Sequence, residues 1–111
     1  MWDFFRKKKA KEFVKTALSV ETEKRVRILF DPSEFDAVED LLMSRCGNNL
    51  YYEKNYDSKD LERIRFSVLK VSGGDFSKLK EAVDLANLDV RDVMSLADFS
   101  SEAYSYRDWN P

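Results

Sequence analysis

The chain has 111 residues, of which 36% are charged and 14% aromatic, with three glycines, two prolines, one cysteine and no histidine. A single domain of this length buries roughly two thirds of its unfolded surface, and so few turn-forming residues argue against an all-β fold. The lack of histidine excludes imidazole zinc ligands and His-activated nucleophiles, and the single cysteine excludes an internal disulfide. No apolar run is longer than three residues, so we expect neither a membrane span nor a signal peptide. We therefore expect a cytoplasmic protein.

The charge is divided unevenly along the chain. Residues 1–27 carry nine Lys or Arg against four Asp or Glu, whereas the rest carries ten against seventeen. The net charge of −2 therefore conceals a segment of +5 and a body of −7. This asymmetry predicts either an outside partner of opposite charge, or docking of the basic segment on its own body or on a second copy.

The first predicted helix covers residues 3–18. Its apolar residues recur with helical spacing at Ala10, Phe13, Val14, Ala17 and Leu18. The next segment, residues 25–30, fits both the alternation of a strand and the spacing of a helix. We favour a helix with Ser19 as its N-cap, and the alternative is an α+β fold in which 25–30 pairs with 50–56.

Four further helices are expected. One begins at Asp31-Pro32 and ends at residues 47–49, and the next runs from Ser58 to the glycine pair at 73–74. Asp75 and Asp89 are the predicted N-caps of the last two. The inward residues are expected to be Phe35, Val38, Leu42, Cys46, Leu61, Ile64, Val68, Val71, Phe76, Leu79, Val83, Ala86, Val93, Met94 and Ala97. We therefore predict a mainly α fold: one small irregular helical domain of four to six short helices over residues 1–111, with 1–9 and 100–111 as candidate mobile termini.

Three aromatic segments are candidate interaction surfaces, although their rings would equally serve to cover the core. The N-terminal segment joins aromatic rings to a basic run, which suits an anionic membrane surface or an acidic protein. Nucleic acid is a weaker candidate because the acidic body would repel phosphate. The candidate residues are Trp2, Phe4, Phe5, Arg6, Lys7, Lys8 and Lys9, then Tyr51, Tyr52 and Tyr56, and in the tail Tyr104, Tyr106 and Trp109.

No constellation of residues predicts catalysis, a metal or a cofactor. Asp89 and Asp92 fit ordinary helix capping, and residues 72–75 fit a junction between two helices better than an anion-binding nest. Cys46 lies on the apolar side of its helix and is expected to be a buried structural thiol.

One segment carries a resemblance. Residues 63–75 read RIRFSVLKVSGGD, followed by a Leu/Ala-periodic stretch and by DVRDV at 89–93. This pattern resembles a group of small uncharacterised bacterial proteins over residues 63–99, and departs from it at Val90, where an aromatic residue is expected. The resemblance implies a bacterial, helical, cytoplasmic protein and transfers no catalytic residue.

These observations favour a non-enzymatic protein–protein interaction module. By analogy with immunity and antitoxin proteins, its acidic body would suit a regulator or neutraliser of a basic partner. The alternative is a peripheral membrane-surface protein anchored by the basic-aromatic N-terminus. A small enzyme that uses Asp, Glu, Tyr or Lys is the third hypothesis, and no residue pattern supports it.

Overall fold

The computed structural model describes residues 15–47, 50, 58–100 and 105–111. These residues form five α-helices: α1 (Val20–Leu29), α2 (Phe35–Arg45), α3 (Ser58–Ser72), α4 (Phe76–Leu88) and α5 (Val90–Leu96). Two 3₁₀ turns lie at Pro32–Glu34 and Ser105–Asp108. No described residue is in a strand, so the mainly α prediction is confirmed. The α+β alternative fails because residues 25–29, one half of its strand pair, belong to α1.

Three of the predicted residues cap the N-termini of helices through their side chains. The hydroxyl of Ser19 accepts a hydrogen bond from the Thr22 amide at 3.1 Å and caps α1. The carboxylates of Asp75 and Asp89 do the same for α4 and α5. These bonds satisfy amides that have no partner within the helix itself. The start at Asp31 is only partly confirmed, since Asp31 makes no capping bond, Pro32 opens a 3₁₀ turn, and α2 begins at Phe35.

The turn between α3 and α4 depends on its two glycines. Gly73 and Gly74 have φ angles of 58° and 90°, which residues with a Cβ rarely adopt. A Cβ on Gly74 would lie 2.6 Å from the carbonyl oxygen of Leu29. The glycine pair therefore ends α3, as predicted, and also lets the turn approach the end of α1.

Helix α3 is the centre of the fold and packs against α1, α4, α5 and the C-terminal 3₁₀ turn. Most of its residues from Leu61 to Leu69 are buried, including two that the apolar stripe did not predict, Arg65 and Phe66. The fully enclosed core positions contributed by the other helices include Val26, Val38, Leu42, Leu79, Val83, Ala86 and Val93. The apolar residues among these form one core around α3, except Phe66, which belongs to a smaller cluster with Ala97, Phe99 and Tyr106.

The predicted helix over residues 3–18 is wrong at its described end. Residues 15–19, here called the N-terminal strap, have no regular secondary structure. The Thr16 amide donates to the Met43 carbonyl at 3.0 Å, and the carbonyls of Thr16 and Ala17 accept from Arg65. Main-chain groups committed to these partners cannot join a helix. Residues 3–14 of the prediction lie outside the described residues.

Candidate interaction surfaces and the arginine clamps

Most of the predicted site residues lie outside the part of the chain that the structure describes. They are Trp2, Phe4, Phe5, Arg6, Lys7, Lys8, Lys9, Tyr51, Tyr52, Tyr56 and Tyr104. The two that are described, Tyr106 and Trp109, belong to the segment 105–111, here called the C-terminal strap. Tyr106 is only 1% exposed, and Trp109 is half-buried. The Tyr106 ring therefore packs inside the protein instead of offering a surface to a partner, contrary to its prediction as an interaction residue.

The C-terminal strap adds a small aromatic cluster to the side of the core. The ring of Tyr106 meets Phe66 edge-on with centroids 5.3 Å apart, and Trp109 lies 6.0 Å from Phe66 and 6.2 Å from Phe99. Edge-to-face pairs at such distances add stability beyond the area that they bury. Burial raises the pKa of the Tyr106 hydroxyl, which lies 3.3 Å from Glu62 Oε1 as a hydrogen-bond donor.

Arg25 of α1 holds this strap in place. Its Nε and Nη2 donate to the carbonyl of Trp109 at 3.1 and 2.9 Å, and Nη2 also reaches the carbonyl of Arg107 at 3.4 Å. Its Nη1 donates to the carbonyl and the carboxylate of Glu21, and the hydrogen bond from Arg25 lowers the pKa of that carboxyl. The guanidinium lies 4.2 Å from the centre of the Phe66 ring. Arg25 is thus engaged on every side by its own chain.

Arg65 of α3 holds the N-terminal strap in the same way. The residue is 3% exposed, and its guanidinium donates to the carbonyls of Thr16 and Ala17 at 2.8 Å and of Cys46 at 2.9 Å. Burial lowers the pKa of this guanidinium, and burial also raises the pKa of the Cys46 thiol to about 12. The prediction of a buried structural thiol is confirmed by this environment, since Cys46 is enclosed by the protein.

The N-terminal strap lies so close to the end of α2 that Gly47 is required there. A Cβ on Gly47 would stand 2.5 Å from Thr16 Oγ1 and 2.7 Å from Thr16 Cβ. Arg65 and Gly47 therefore act together, one by bonding the strap and the other by leaving room for it.

Two clefts flank Glu62 on α3. A cleft of about 420 Å³ is lined by Glu21, Arg25, Glu62, Phe66 and Arg107. A cleft of about 210 Å³ is lined by residues 16–19 together with Leu61, Glu62 and Arg65. The Glu62 carboxylate accepts from Ser19 Oγ at 2.6 Å, and it also lies within reach of the Tyr106 hydroxyl. These bonds join both straps to α3, so we assign the carboxylate a structural role.

An apolar groove lies between α3, α4 and α5. This leucine groove comprises Val71, Ala82, Leu85 and Leu96, has a volume of about 290 Å³ and is bordered by Lys78 and Glu81. Leu96 is 67% exposed, and Leu88, one turn beyond Leu85 on α4, is 69% exposed. Large aliphatic side chains that are this exposed, one of them lining a groove, are typical of a contact surface.

The sequence did contain a signal for the leucine groove. Glu81, Leu85 and Leu88 follow one another at helical spacing, on a different side of α4 from the predicted stripe of Phe76, Leu79, Val83 and Ala86. Leu96 directly precedes the inward Ala97 and so lies about 100° away from it around α5. Leucines that fall outside the inward stripe of an amphipathic helix indicate a second apolar face.

The exposed side of α1 is a second, smaller apolar surface. Val20 and Ile28 are 66% and 57% exposed, and Lys24 lies between them at helical spacing. Within the described residues, no helix has the length and apolar character needed to cross a bilayer. The same residues contain no group of three or more His, Cys, Asp or Glu side chains able to hold a metal ion.

Compared with protein families, with curated proteins and with solved structures, the chain matches none of them.

Proposed function

We propose that this protein is a non-enzymatic interaction module that binds another protein, or a second copy of itself, through the leucine groove. The observation that carries the proposal is a pair of leucines that are each about two-thirds exposed: Leu96, which lines the apolar cleft, and Leu88, one helical turn beyond the lining residue Leu85. Burial of one leucine side chain contributes about 1.5–3 kcal/mol, so covering both would provide substantial binding free energy. The resemblance over residues 63–99 favours a bacterial protein, and we propose that it acts in the cytoplasm as a regulator.

The charged border of the groove supports a protein ligand. Lys78 and Glu81 stand at the edge of the cleft, while its floor is formed by Ala82 and by half-buried Val71 and Leu85. An apolar centre with a polar rim is the ordinary arrangement of a protein–protein contact. The same rim would hold an amphipathic helix in one orientation, since it offers one charge of each sign.

The test compares a double variant of the groove with a matched double variant elsewhere. Leu88→Asp with Leu96→Asp removes the two exposed leucines, whereas Val20→Asp with Ile28→Asp makes the same change on α1. Self-association is measured by analytical ultracentrifugation, and bound proteins are captured from bacterial lysate and quantified by mass spectrometry. We expect the groove variant to lose at least about tenfold in affinity while the α1 variant binds as the wild type does. Equal binding by both variants would refute the assignment of the groove.

A second candidate function is peripheral binding to an anionic membrane surface. Its specific support is the outer side of α1, where Lys24 lies between the exposed aliphatic residues Val20 and Ile28. Such a face suits the boundary between lipid headgroups and acyl chains. The test is co-sedimentation with vesicles of phosphatidylcholine, with and without phosphatidylglycerol. We expect binding only to anionic vesicles, with loss on Val20→Asp with Ile28→Asp and on removal of residues 1–9. Binding that is equally strong to vesicles without phosphatidylglycerol, or that persists after the double substitution and the removal of residues 1–9, would exclude this function.

A further inference from the structure

The surface under the C-terminal strap is formed by three separate parts of the body. Arg25 belongs to α1, Phe66 to α3, and Phe99 to the chain that follows α5. The two strap rings, Tyr106 and Trp109, each lie edge-on to both body rings, with centroid distances between 5.3 and 6.5 Å. The strap therefore places two rings, three residues apart, on a surface to which distant parts of the chain contribute.

The body binds the main chain of the strap as well as its rings. Arg25 Nε and Nη2 donate to the same carbonyl, that of Trp109, at 3.1 and 2.9 Å, and Nη2 also reaches the Arg107 carbonyl at 3.4 Å. Every peptide segment has such carbonyls, so these bonds do not depend on the side chains of the segment that is bound. The sequence requirement of the surface therefore comes from the two ring positions.

The strap leaves open space beside it. The cleft of about 420 Å³ is lined by Glu21, Arg25, Glu62 and Phe66 of the body and by Arg107 of the strap. Protein interiors are close-packed, whereas ligand sites have volumes of roughly 300–1,000 Å³. The body's part of this lining has two carboxylates and one guanidinium, a formal charge of −1. The surface therefore has room and charge for a basic side chain next to the two rings.

We propose that this surface is a docking site for a peptide segment of another protein, and that the C-terminal strap occupies it as a competing ligand. The segment that fits has two aromatic residues three positions apart, with Lys or Arg directly after the first, as in Tyr106-Arg107-Asp108-Trp109. It binds only when the strap leaves, so the strap lowers its apparent affinity. The site shares no lining residue with the leucine groove and does not rest on the function proposed for that groove.

The test measures by fluorescence anisotropy how a fluorescein-labelled peptide with the sequence of residues 105–111 binds to the full chain. Trp109→Ala weakens the strap and leaves the body's surface intact, so we expect at least about fivefold tighter binding than by the wild type. Arg107→Glu changes an exposed strap residue and should act in the same direction, which decides the question if Trp109→Ala does not fold. The matched control, Ile28→Ala, changes an exposed residue of α1 and should bind the peptide as the wild type does.

Loss of the arginine should reverse the gain. Arg25→Met, added to either strap variant, should weaken peptide binding at least about tenfold, because the peptide carbonyls lose their donors. Folded strap variants that bind no peptide, or that bind it equally well with and without Arg25, would overturn the proposal. Equal binding of a peptide with alanine at both aromatic positions would also overturn it. Wild-type dimers that dissociate when the peptide is added would overturn the outside partner in favour of the strap of a second copy.

Discussion

The helical body and the two straps that lie against it are held together by different forces. In the body, α1 to α5 meet through aliphatic side chains such as Val38, Leu79 and Val83, which are completely enclosed. In the straps, buried or half-buried arginines donate to main-chain carbonyls: Arg65 to the N-terminal strap and Arg25 to the C-terminal strap.

The exit from α5 is held in the same manner as the straps. Arg63 donates to the carbonyl of Phe99 through Nε at 2.8 Å and through Nη2. A helix satisfies its own carbonyls, but an irregular segment pressed against a core does not, and a buried carbonyl without a partner is costly. Arginine suits this task because one planar group offers five donors. The helices of this protein are therefore stabilised by regularly spaced apolar side chains. The irregular segments are stabilised by the hydrogen bonds of Arg25, Arg63 and Arg65.

The strongest test of this comparison is Arg65→Met, which keeps the size of the side chain and removes its donors. Three carbonyls lose their partner, and two of them connect the N-terminal strap to the body. We expect the free energy of unfolding to fall by about 3 kcal/mol, as measured by urea denaturation. The control, Arg91→Met, changes an arginine that is 81% exposed and should cost under about 0.5 kcal/mol. A loss for Arg65→Met as small as that of the control would mean that the strap contributes little.

A smaller and more local effect is expected from Arg25→Met. This change frees the carbonyls of Trp109 and Arg107 and removes the cation from the Phe66 ring. We expect a loss of about 2 kcal/mol and faster amide exchange in the C-terminal strap, while α4 remains protected. Hydrogen exchange measured by mass spectrometry distinguishes the two regions. Uniformly faster exchange throughout the protein would show that strap and body unfold as one unit.

The body could be predicted from the sequence because periodicity and capping are local signals. The Leu61, Ile64 and Val68 spacing indicated α3, and Ser19, Asp75 and Asp89 marked helix starts correctly. The assignment of residues 25–29 to a helix followed from the same spacing. Each of these signals lies within a few residues of the structure that it predicts.

The straps could not be predicted because their contacts join distant parts of the chain. Arg65 meets Thr16 across 49 residues and Arg25 meets Trp109 across 84, and nothing in the local pattern distinguishes either arginine from one that faces solvent. The apolar stripe through Ala17 and Leu18 wrongly predicted a helix because apolar spacing carries no information about distant hydrogen bonds. In the structure the carbonyls of Thr16 and Ala17 bind Arg65 and are not available for bonds within a helix. Tyr106 was predicted as an interaction residue because it belongs to an aromatic tail, whereas its ring enters the aromatic cluster beside Phe66.

The boundary between the two regions can be examined through the pH dependence of stability. Cys46 belongs to both, since its carbonyl accepts from Arg65 and its thiol lies in the core. Burial raises the pKa of that thiol to about 12, whereas an unfolded cysteine titrates near about 8.5. The folded protein therefore keeps this proton longer than the unfolded chain does. Its contribution to stability is complete below about pH 8.5 and is lost as the pH rises toward 12.

The expected slope is roughly 1 kcal/mol per pH unit over that range. Urea denaturation at pH 8, 9 and 10 measures it, and Cys46→Ala provides the control because it lacks the thiol but retains the tyrosines and lysines that titrate nearby in pH. We expect the variant to show a shallower slope, whatever its stability at pH 8. Equal slopes of unfolding free energy against pH in the wild type and in Cys46→Ala would show that the thiol is accessible to solvent. The N-terminal strap would then fail to shield the core at Cys46.

The smallest expected effect concerns the place where the body passes into irregular chain after α5. Asp98 has a left-handed φ of 64°, and the turn is closed by hydrogen bonds from the Asp98 amide to Ser95 and from the Phe99 amide to Met94. Glycine adopts this conformation without the cost that a side chain imposes, so Asp98→Gly should raise the free energy of unfolding by up to about 1 kcal/mol. Asp98→Asn removes the charge but tolerates the same backbone, and should change stability little. Equal stability of the Asp98→Gly and Asp98→Asn variants in thermal denaturation would mean that Arg63 and the burial of Phe99 determine the turn, and not the residue at position 98. The irregular chain after α5 would then resemble the two straps, which are also held by arginines.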